Sequence, residues 1–526
     1  MDNRTGGAVE GRAADDTADT DRTGGTDTAG GTDTAGGTED GAGSGAGEAA
    51  AGGAARGRGR GAVRAAAAAL VGCAALVGCA VLGGAALLFL PALRQSGGGP
   101  PAPAAGARAQ AAVGAHLPVG LPELAALIAG REARVRTHPR DARAWALLGS
   151  AYVEQGRRTA GAAEFYPKAE RALHSSLKAG PPGNPEALEG LAALANARRD
   201  FRTGQRWARA VLERHPKRWT AYPLLIEADT GLGDHSAARK ALDRLLRLRS
   251  GPAVRAQAAS VQRDGGRRED AAAALADAAA AAGRPAERAA YLERGGRLAW
   301  ERGDRQDALR HFRAALRIDP DLRAAQAGEG RALAALGRTS QALRAYRAAL
   351  ARQPEPQYAL ELGELYESLG LREAARVQYD LLRSRVRSEA AGGVDGALLL
   401  GRFEADHGDP AAAVRRLRAE WGRQPGTPVA DALGWALHRA GDDREALRYA
   451  VLATDEKHGG GVRSAPYAFH RGMIEKALAL EGPARRHLRE ALRINPYFSP
   501  VRAPEARAAL AGLGEPAAEP PPDGGA

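Results

Sequence analysis

Lysine is nearly missing from this chain, supplying only six of its 74 basic residues. The remainder is arginine, the bias of a high-GC coding background, and it alternates with Glu and Asp through stretches such as 239–249 and 305–317. A nucleic-acid surface would need that arginine gathered on one face with aromatic or turn residues beside it. No nucleic-acid partner is therefore expected, although the net charge is +12. Cysteine is confined to Cys73 and Cys79. Six positions apart on a helix they diverge by about 240°, which excludes a local disulfide. The chain has no C-x-x-C and no zinc spacing.

Catalytic patterns are missing too. The eleven histidines include no H-E-x-x-H, and His438, His458, His470 and His487 stand alone. There is no Walker-type phosphate loop and no nucleophile elbow around a serine. The acid pairs Glu361/Glu364 and Asp442/Asp443 fall in ordinary helix or turn settings. The expectation is a protein without catalytic residues, cofactor or metal.

Large apolar side chains are also scarce over residues 1–64, where a Gly-Thr-Asp-Thr-Ala-Gly hexad repeats within 25–40. Such a stretch cannot bury enough surface to offset the entropy of ordering, so 1–64 reads as a disordered polar tail. The adjoining stretch is the opposite. From 65 to 90 no charge interrupts a run of Ala, Leu, Val and Gly, and about 20 such residues span a bilayer. The expected span is a transmembrane helix over 65–93. Arg56, Arg58, Arg60 and Arg64 precede it, whereas Arg94 alone comes closely after. That imbalance puts the N-terminus in the cytoplasm and the rest of the chain outside, as a single-pass protein of the cell membrane. Leu76-Val77-Gly78-Cys79 also resembles a lipobox, so retention, cleavage and lipidation at Cys79 stay open. A Gly/Pro-rich linker is expected over 94–120, and a second disordered tail over 514–526.

Between them, 121–513 is helical throughout by its periodicity, and it repeats. Gly296, Gly303, Ala308, Phe312, Ala315 and Pro320 recur 34 residues on as Gly330, Gly337, Ala342, Tyr346, Ala349 and Pro354. Gly363, Gly370, Ala375 and Tyr379 come next, then Gly401, Ala413 and Leu417, then Gly434, Ala446 and Ala450, then Gly472, Ala484 and Leu488. Near the start, Trp145, Leu148, Gly149 and Tyr152 stand in W-x2-L-G-x2-Y order, with Phe165 at the later aromatic position and Gly161 at the small one. Weaker copies cover 185–249, and 252–283 is degenerate.

These residues resemble the tetratricopeptide repeat (TPR) family over roughly 122–500. The resemblance implies an all-α fold: about nine to ten helix-turn-helix repeats stacked as a right-handed superhelix with a concave groove. Residues 124–156, including His138-Pro139, also resemble the TPR subunit of cytochrome c maturation systems. The family's habit of lining the groove with first-helix positions implies Arg297, Trp300, Glu301, Arg331, Glu364, Glu367, Arg402, Trp435, His438, Arg439 and Met473 as partner-binding residues. Trp300 and Trp435 are the implied anchors. The subclass that clamps a terminal carboxylate with Lys and Asn is not expected, because no Lys lies between Lys240 and Lys457. The implied function is a membrane-tethered scaffold binding a protein or peptide, with a chaperone of cytochrome c maturation or envelope assembly as the alternative.

A reporter fused after residue 526 should be active only outside the cytoplasm. Activity in the cytoplasm of intact cells would overturn the expected orientation.

Overall fold

The computed structural model describes residues 105–455 and 461–514. The polar tail and the apolar run at 65–93 lie outside the described residues. No helix among the described residues is long and apolar enough to cross a membrane.

The described residues form 23 helices and no strand. Two come first, α1 (Ala105–Gly114) and α2 (Leu121–Thr137). Ten antiparallel pairs come after them, beginning with α3 (Ala142–Thr159) and α4 (Ala162–Ala179), α5 (Pro185–Ala197) and α6 (Phe201–Arg214), and α7 (Ala221–Gly231) and α8 (His235–Leu248). Next are α9 (Pro252–Asp264) with α10 (Arg268–Ala281), α11 (Pro285–Glu301) with α12 (Arg305–Ile318), and α13 (Arg323–Ala335) with α14 (Thr339–Arg352). The last four are α15 (Pro356–Ser368) with α16 (Arg372–Ala390), α17 (Ala397–His407) with α18 (Pro410–Arg423), α19 (Thr427–Arg439) with α20 (Asp443–Thr454), and α21 (Ala465–Ala477) with α22 (Glu481–Ile494). A closing helix α23 spans Arg502–Gly512.

Proline opens many first helices, where its missing N–H has no intrahelical partner to lose: Pro185, Pro252, Pro285, Pro356 and Pro466 all lie at the start of theirs. Aspartates cap several second helices. Asp200 accepts from Thr203 N, Asp234 from Ala237 N and Asp442 from Glu445 N. Between the two helices the chain passes through a left-handed residue, as at Gly303 (φ 85°) and Gly337 (φ 72°), which closes the first helix without a Cβ penalty.

Each pair is held by a close approach with a fixed offset. A Cβ added at Gly296 would lie 2.8 Å from the Phe312 ring, and one at Gly330 would lie 2.8 Å from Tyr346. Gly363 faces Tyr379, Gly401 faces Leu417 and Gly472 faces Leu488, sixteen residues on each time. Twelve residues on sits a fully buried alanine: Ala308, Ala342, Ala413 and Ala484 are 0% exposed. The same offsets recover the earlier pairs as Ala192/Gly204/Ala208, Ile226/Ala238/Leu242 and Ala259/Ala271/Leu275, all buried. The degenerate stretch 252–283 is thus an ordinary pair, disguised by alanine at the glycine position.

Two expectations need correcting. In the first pair Gly149 meets Leu173, not Phe165, and the buried alanine is Ala169 rather than Gly161. Both helices here are about a turn longer than in later pairs, which slides the contact eight residues along the chain. Phe165 instead packs on Tyr152, with ring centroids 6.2 Å apart. The linker also ends sooner than expected. Residues 105–114 form α1, whose Ala109, Ala112 and Val113 are buried against Leu124, Leu127 and Leu147.

The pairs coil so that each of the first five meets the fifth or the sixth one after it. Gln353 Nε2 donates to Arg157 O at 3.2 Å, and Arg385 Nη2 to Ala160 O at 2.7 Å. One pair further, Arg198 Nε donates to Gly392 O at 2.8 Å, and the Asp395 amide donates to Arg198 O at 2.9 Å. Gln424 accepts from Phe201 N and donates to Arg199 O, both at 2.8 Å. His235 meets Thr427 at 3.0 Å, a Cβ at Gly266 would be 2.5 Å from Gly461 O, and Asn495 Nδ2 donates to Trp300 O at 2.7 Å. Arg158 and Asp319 add an ion pair at 2.8 Å, 10% and 13% exposed. The turn between helices of one pair is therefore seated on the turn between pairs one coil above. The open groove expected from the repeats is closed along its side by this seam.

Gly330→Leu and Ala342→Leu should overpack the α13/α14 contact and destabilise by about 1–3 kcal/mol. Chemical denaturation of the full chain would measure this. Wild-type midpoints for both variants would refute the register.

Candidate functional site

The first helix of each pair faces the axis of the coil, and the side chains it sends inward line a series of adjoining cavities. The largest, of about 640 Å³, is bounded by Arg157, Arg199, Glu227, Arg263, Asp264, Glu355, Glu389, Arg402 and Tyr467. Below it a cavity of about 290 Å³ shares Arg157, Glu227 and Asp264, and adds Ser150, Val153, Glu154, Arg294 and Arg297. Above it lie cavities of about 380 and 490 Å³, which share Trp300, Glu301, Gln357 and Glu364.

Seven of the residues implied as groove-lining are brought together here: Arg297, Trp300, Glu301, Arg331, Glu364, Arg402 and Trp435. Their states differ. Glu301 accepts two hydrogen bonds from Arg263, at 2.6 and 2.8 Å, and Arg331 is paired with Glu361 at 2.6 Å. Arg297 and Arg402 have neither an ion pair nor a side-chain hydrogen bond among the described residues, so each brings an uncommitted guanidinium to the cavity wall. Trp435 is not presented as an anchor. It is 3% exposed, stacked on His470 with centroids 4.4 Å apart, and its indole donates to Asp406 at 2.9 Å. That burial makes it a packing residue between pairs with one edge at the cavity.

The other implied residues are engaged elsewhere. Glu367 accepts from the Tyr379 hydroxyl at 2.7 Å and lies 3.3 Å from His407. His438 bonds Asp443 at 2.5 Å, and Arg439 is exposed, donating to Ala405 O at 3.3 Å. Met473 is packed against the C-terminal core. The functional residues missed by sequence are those of the first four pairs. Ser150, Val153 and Glu154, then Glu227 and Thr230, then Ser260, Arg263 and Asp264, stand one, four or five places after the small or apolar residue of each pair. Arg297, Trp300 and Glu301 stand at those places after Gly296. Extending the register would have found them. Arg157 belongs to the extra turn of α3, and no repeat signal marks it.

Enclosure changes the carboxyl groups. Burial, reinforced by Asp406 and Glu361, pushes Glu364 up to about 8. Burial, with Glu355 beside it, pushes Glu389 up to about 7. Burial likewise raises Glu154, Asp264 and Glu355. The cavities therefore hold carboxyls that keep their protons to higher pH than usual, Glu364 foremost, alongside charged guanidiniums. The wall can donate and accept hydrogen bonds at close intervals. No group of three or more His, Cys, Asp or Glu among the described residues is placed to hold a metal ion.

Residues 299–362, within α11 to α15, match the tetratricopeptide repeat family model. No curated protein matches the chain by sequence. Among solved structures, a tetratricopeptide repeat protein from Parabacteroides merdae is similar at 17% identity, covering 50% of this chain and 98% of its own, with a TM-score of 0.30. The human IFIT1 dimer is similar at 15% identity, covering 71% and 87%, with a TM-score of 0.40. The MamA protein is similar at 18% identity, covering 32% and 91%, with a TM-score of 0.25.

A carboxyl raised on folding binds its proton more tightly in the folded state than in the unfolded one. The stability it contributes is present at low pH and lost as pH rises through its folded value. Between about pH 5 and about pH 9 the denaturation midpoint of the wild-type chain should fall, and in Glu364→Gln it should fall less. An unchanged fall in that variant would show that Glu364 is ionised throughout.

Proposed function

We propose that this protein is a scaffold that binds a polypeptide segment inside the coil of its tetratricopeptide repeats, and that the apolar run at 65–90 tethers it to the cell membrane with the repeats outside the cytoplasm. The observation that carries the binding reading is the wall of adjoining cavities. First helices of all ten pairs, together with residues 496–507, contribute side chains to one continuous interior, and several of these, Arg297 and Arg402 foremost, have no partner within the described residues. A polypeptide offers carbonyls, amides and mixed charges at short intervals, which is what such a wall of mixed donors and acceptors can satisfy. The repeat match supports a protein ligand. The tether rests on the length of the apolar run and on the arginines before it.

The test is recovery of the partner with the full chain. Truncating a desolvated interface anchor commonly costs about 2 kcal/mol, roughly thirty-fold in affinity. Arg402→Ala should reduce recovery by about that factor. Arg313→Ala should leave recovery unchanged, because Arg313 is bound to Glu329 at 2.8 Å on α12, a second helix, and lines none of these cavities. Equal recovery by both variants, or loss in the Arg313 variant alone, would place the binding surface outside the coil.

A further inference from the structure

The tightness of the helix-to-helix turns differs between the two halves of the coil. In the first coil a Cβ at Gly233 would lie 2.8 Å from Pro425 O, one at Gly266 would lie 2.5 Å from Gly461 O, and one at Gly303 would lie 3.1 Å from Asn495 Cα. In the second coil the equivalent positions are Gly337, Gly370 and Gly441, and a Cβ there meets nothing within 4 Å. The first set lies in the seam, and the second set forms an upper rim on which no described residue is seated. The cavity of about 490 Å³ reaches that rim, since Ala335, Thr339, Ser368 and Leu369 belong to its wall. Leu369 and Leu371 are 41% and 48% exposed there.

The lower end is different. The turn after α1 lies across it: Ala115, His116, Leu117 and Pro118 share a cavity of only about 60 Å³ with Trp219, Leu245, Val254 and Tyr291. His116 and Leu117 also form part of the wall of the 290 Å³ cavity just inside. This turn is anchored by the core that α1 and α2 build against Leu147 and Ala151. Among the described residues the interior is thus walled at the side by the seam, stoppered below by residues 115–118, and open above beside the pairs α13/α14 and α15/α16.

We infer that the interior is loaded by the free end of an extended polypeptide, threaded inward from the upper rim, and that the middle of a chain is refused. This rests on the reading that the interior binds polypeptide. Insertion of an internal segment would require the seam to part. That would strip Gln424 and Asn495, each 2% exposed, of the backbone partners they hold across it, and a buried amide without partners is costly. A free end meets no such barrier. Along its path it passes Glu364, Arg297, Arg402 and Arg157, all without a hydrogen-bonding side-chain partner among the described residues.

The route can be tested without knowing the ligand. In the full chain carrying Cys73→Ser and Cys79→Ser, Ser260→Cys places one thiol in the 290 Å³ cavity, and Ser368→Cys places one at the rim in a second protein. Two probes are compared: a maleimide on the end of a linear Gly/Ser peptide, and the same maleimide on a head-to-tail cyclised Gly/Ser peptide of equal length. The rim thiol should react with both. The inner thiol should react with the linear probe and not with the cyclic one. Equal labelling of the inner thiol by both probes would overturn the inference, as would no labelling of it by either. Binding of linear and cyclised random peptide libraries to the unlabelled full chain separates the two readings. Failure of both libraries to bind would remove the polypeptide function and leave the route to be decided by the labelling. Binding of linear peptides alone would support both.

Discussion

Phe312, Tyr346 and Tyr379 pack against Gly296, Gly330 and Gly363 where a Cβ would stand, and the geometry of the whole coil descends from that contact. The missing side chain lets the second helix approach the first, and the ring fills the space that remains toward the next pair. Each pair alone would leave an apolar flank in water. Ten in series cover one another, so that buried apolar clusters succeed each other along the array. A fixed contact repeated at a fixed offset also fixes the rotation from pair to pair. Accumulated over five pairs, that rotation returns the chain onto itself and creates the seam.

The seam in turn decides what the concave face can be. The pairs turn their first helices to the inside, and in an array whose coils did not meet these would form a trough. Here the turns of one coil sit in the turns of the next. Small residues permit this: Gly233, Gly266, Gly392 and Gly426 each face backbone at a distance a side chain would not allow. The inner wall becomes an enclosed, polar space, and enclosure is what raises Glu364 and Glu389. Fold, electrostatics and access are thus consequences of one packing distance.

Much of this was legible in the sequence. The glycines and aromatics of α11 to α16 gave the offset directly, and the helical class came from periodicity alone. The pairs α5 to α10 were harder, because Ala192, Ile226 and Ala259 stand where later pairs have glycine. Such substitutions are tolerated when the residue sixteen places on shrinks or shifts to match, as Ala208 does. Pairwise compensation of that kind leaves no single-residue signature. The extra turns of α3 and α4 displaced Phe165 from its apparent role for the same reason: the contact is set by helix length, not by distance along the chain. Closure of the side was not legible at all. It joins residues about two hundred positions apart through glycines, glutamines and asparagines, which no local pattern distinguishes from ordinary loop residues. The inward-facing residues were half visible: Arg297 and Arg402 came from the family's lining positions, whereas the burial of Trp435 depends on Phe469 and His470 from the next pair.

The central claim is that the coil is closed along its side, and cross-linking over the seam tests it most directly. His235 opens α8 and Thr427 opens α19, 192 positions apart in the chain, yet their side chains touch at 3.0 Å. In the full chain lacking Cys73 and Cys79, His235→Cys together with Thr427→Cys should be joined within the molecule by a short bismaleimide to near completion. A chain that retains its helical content but shows no intramolecular product would contradict closure and restore the open trough.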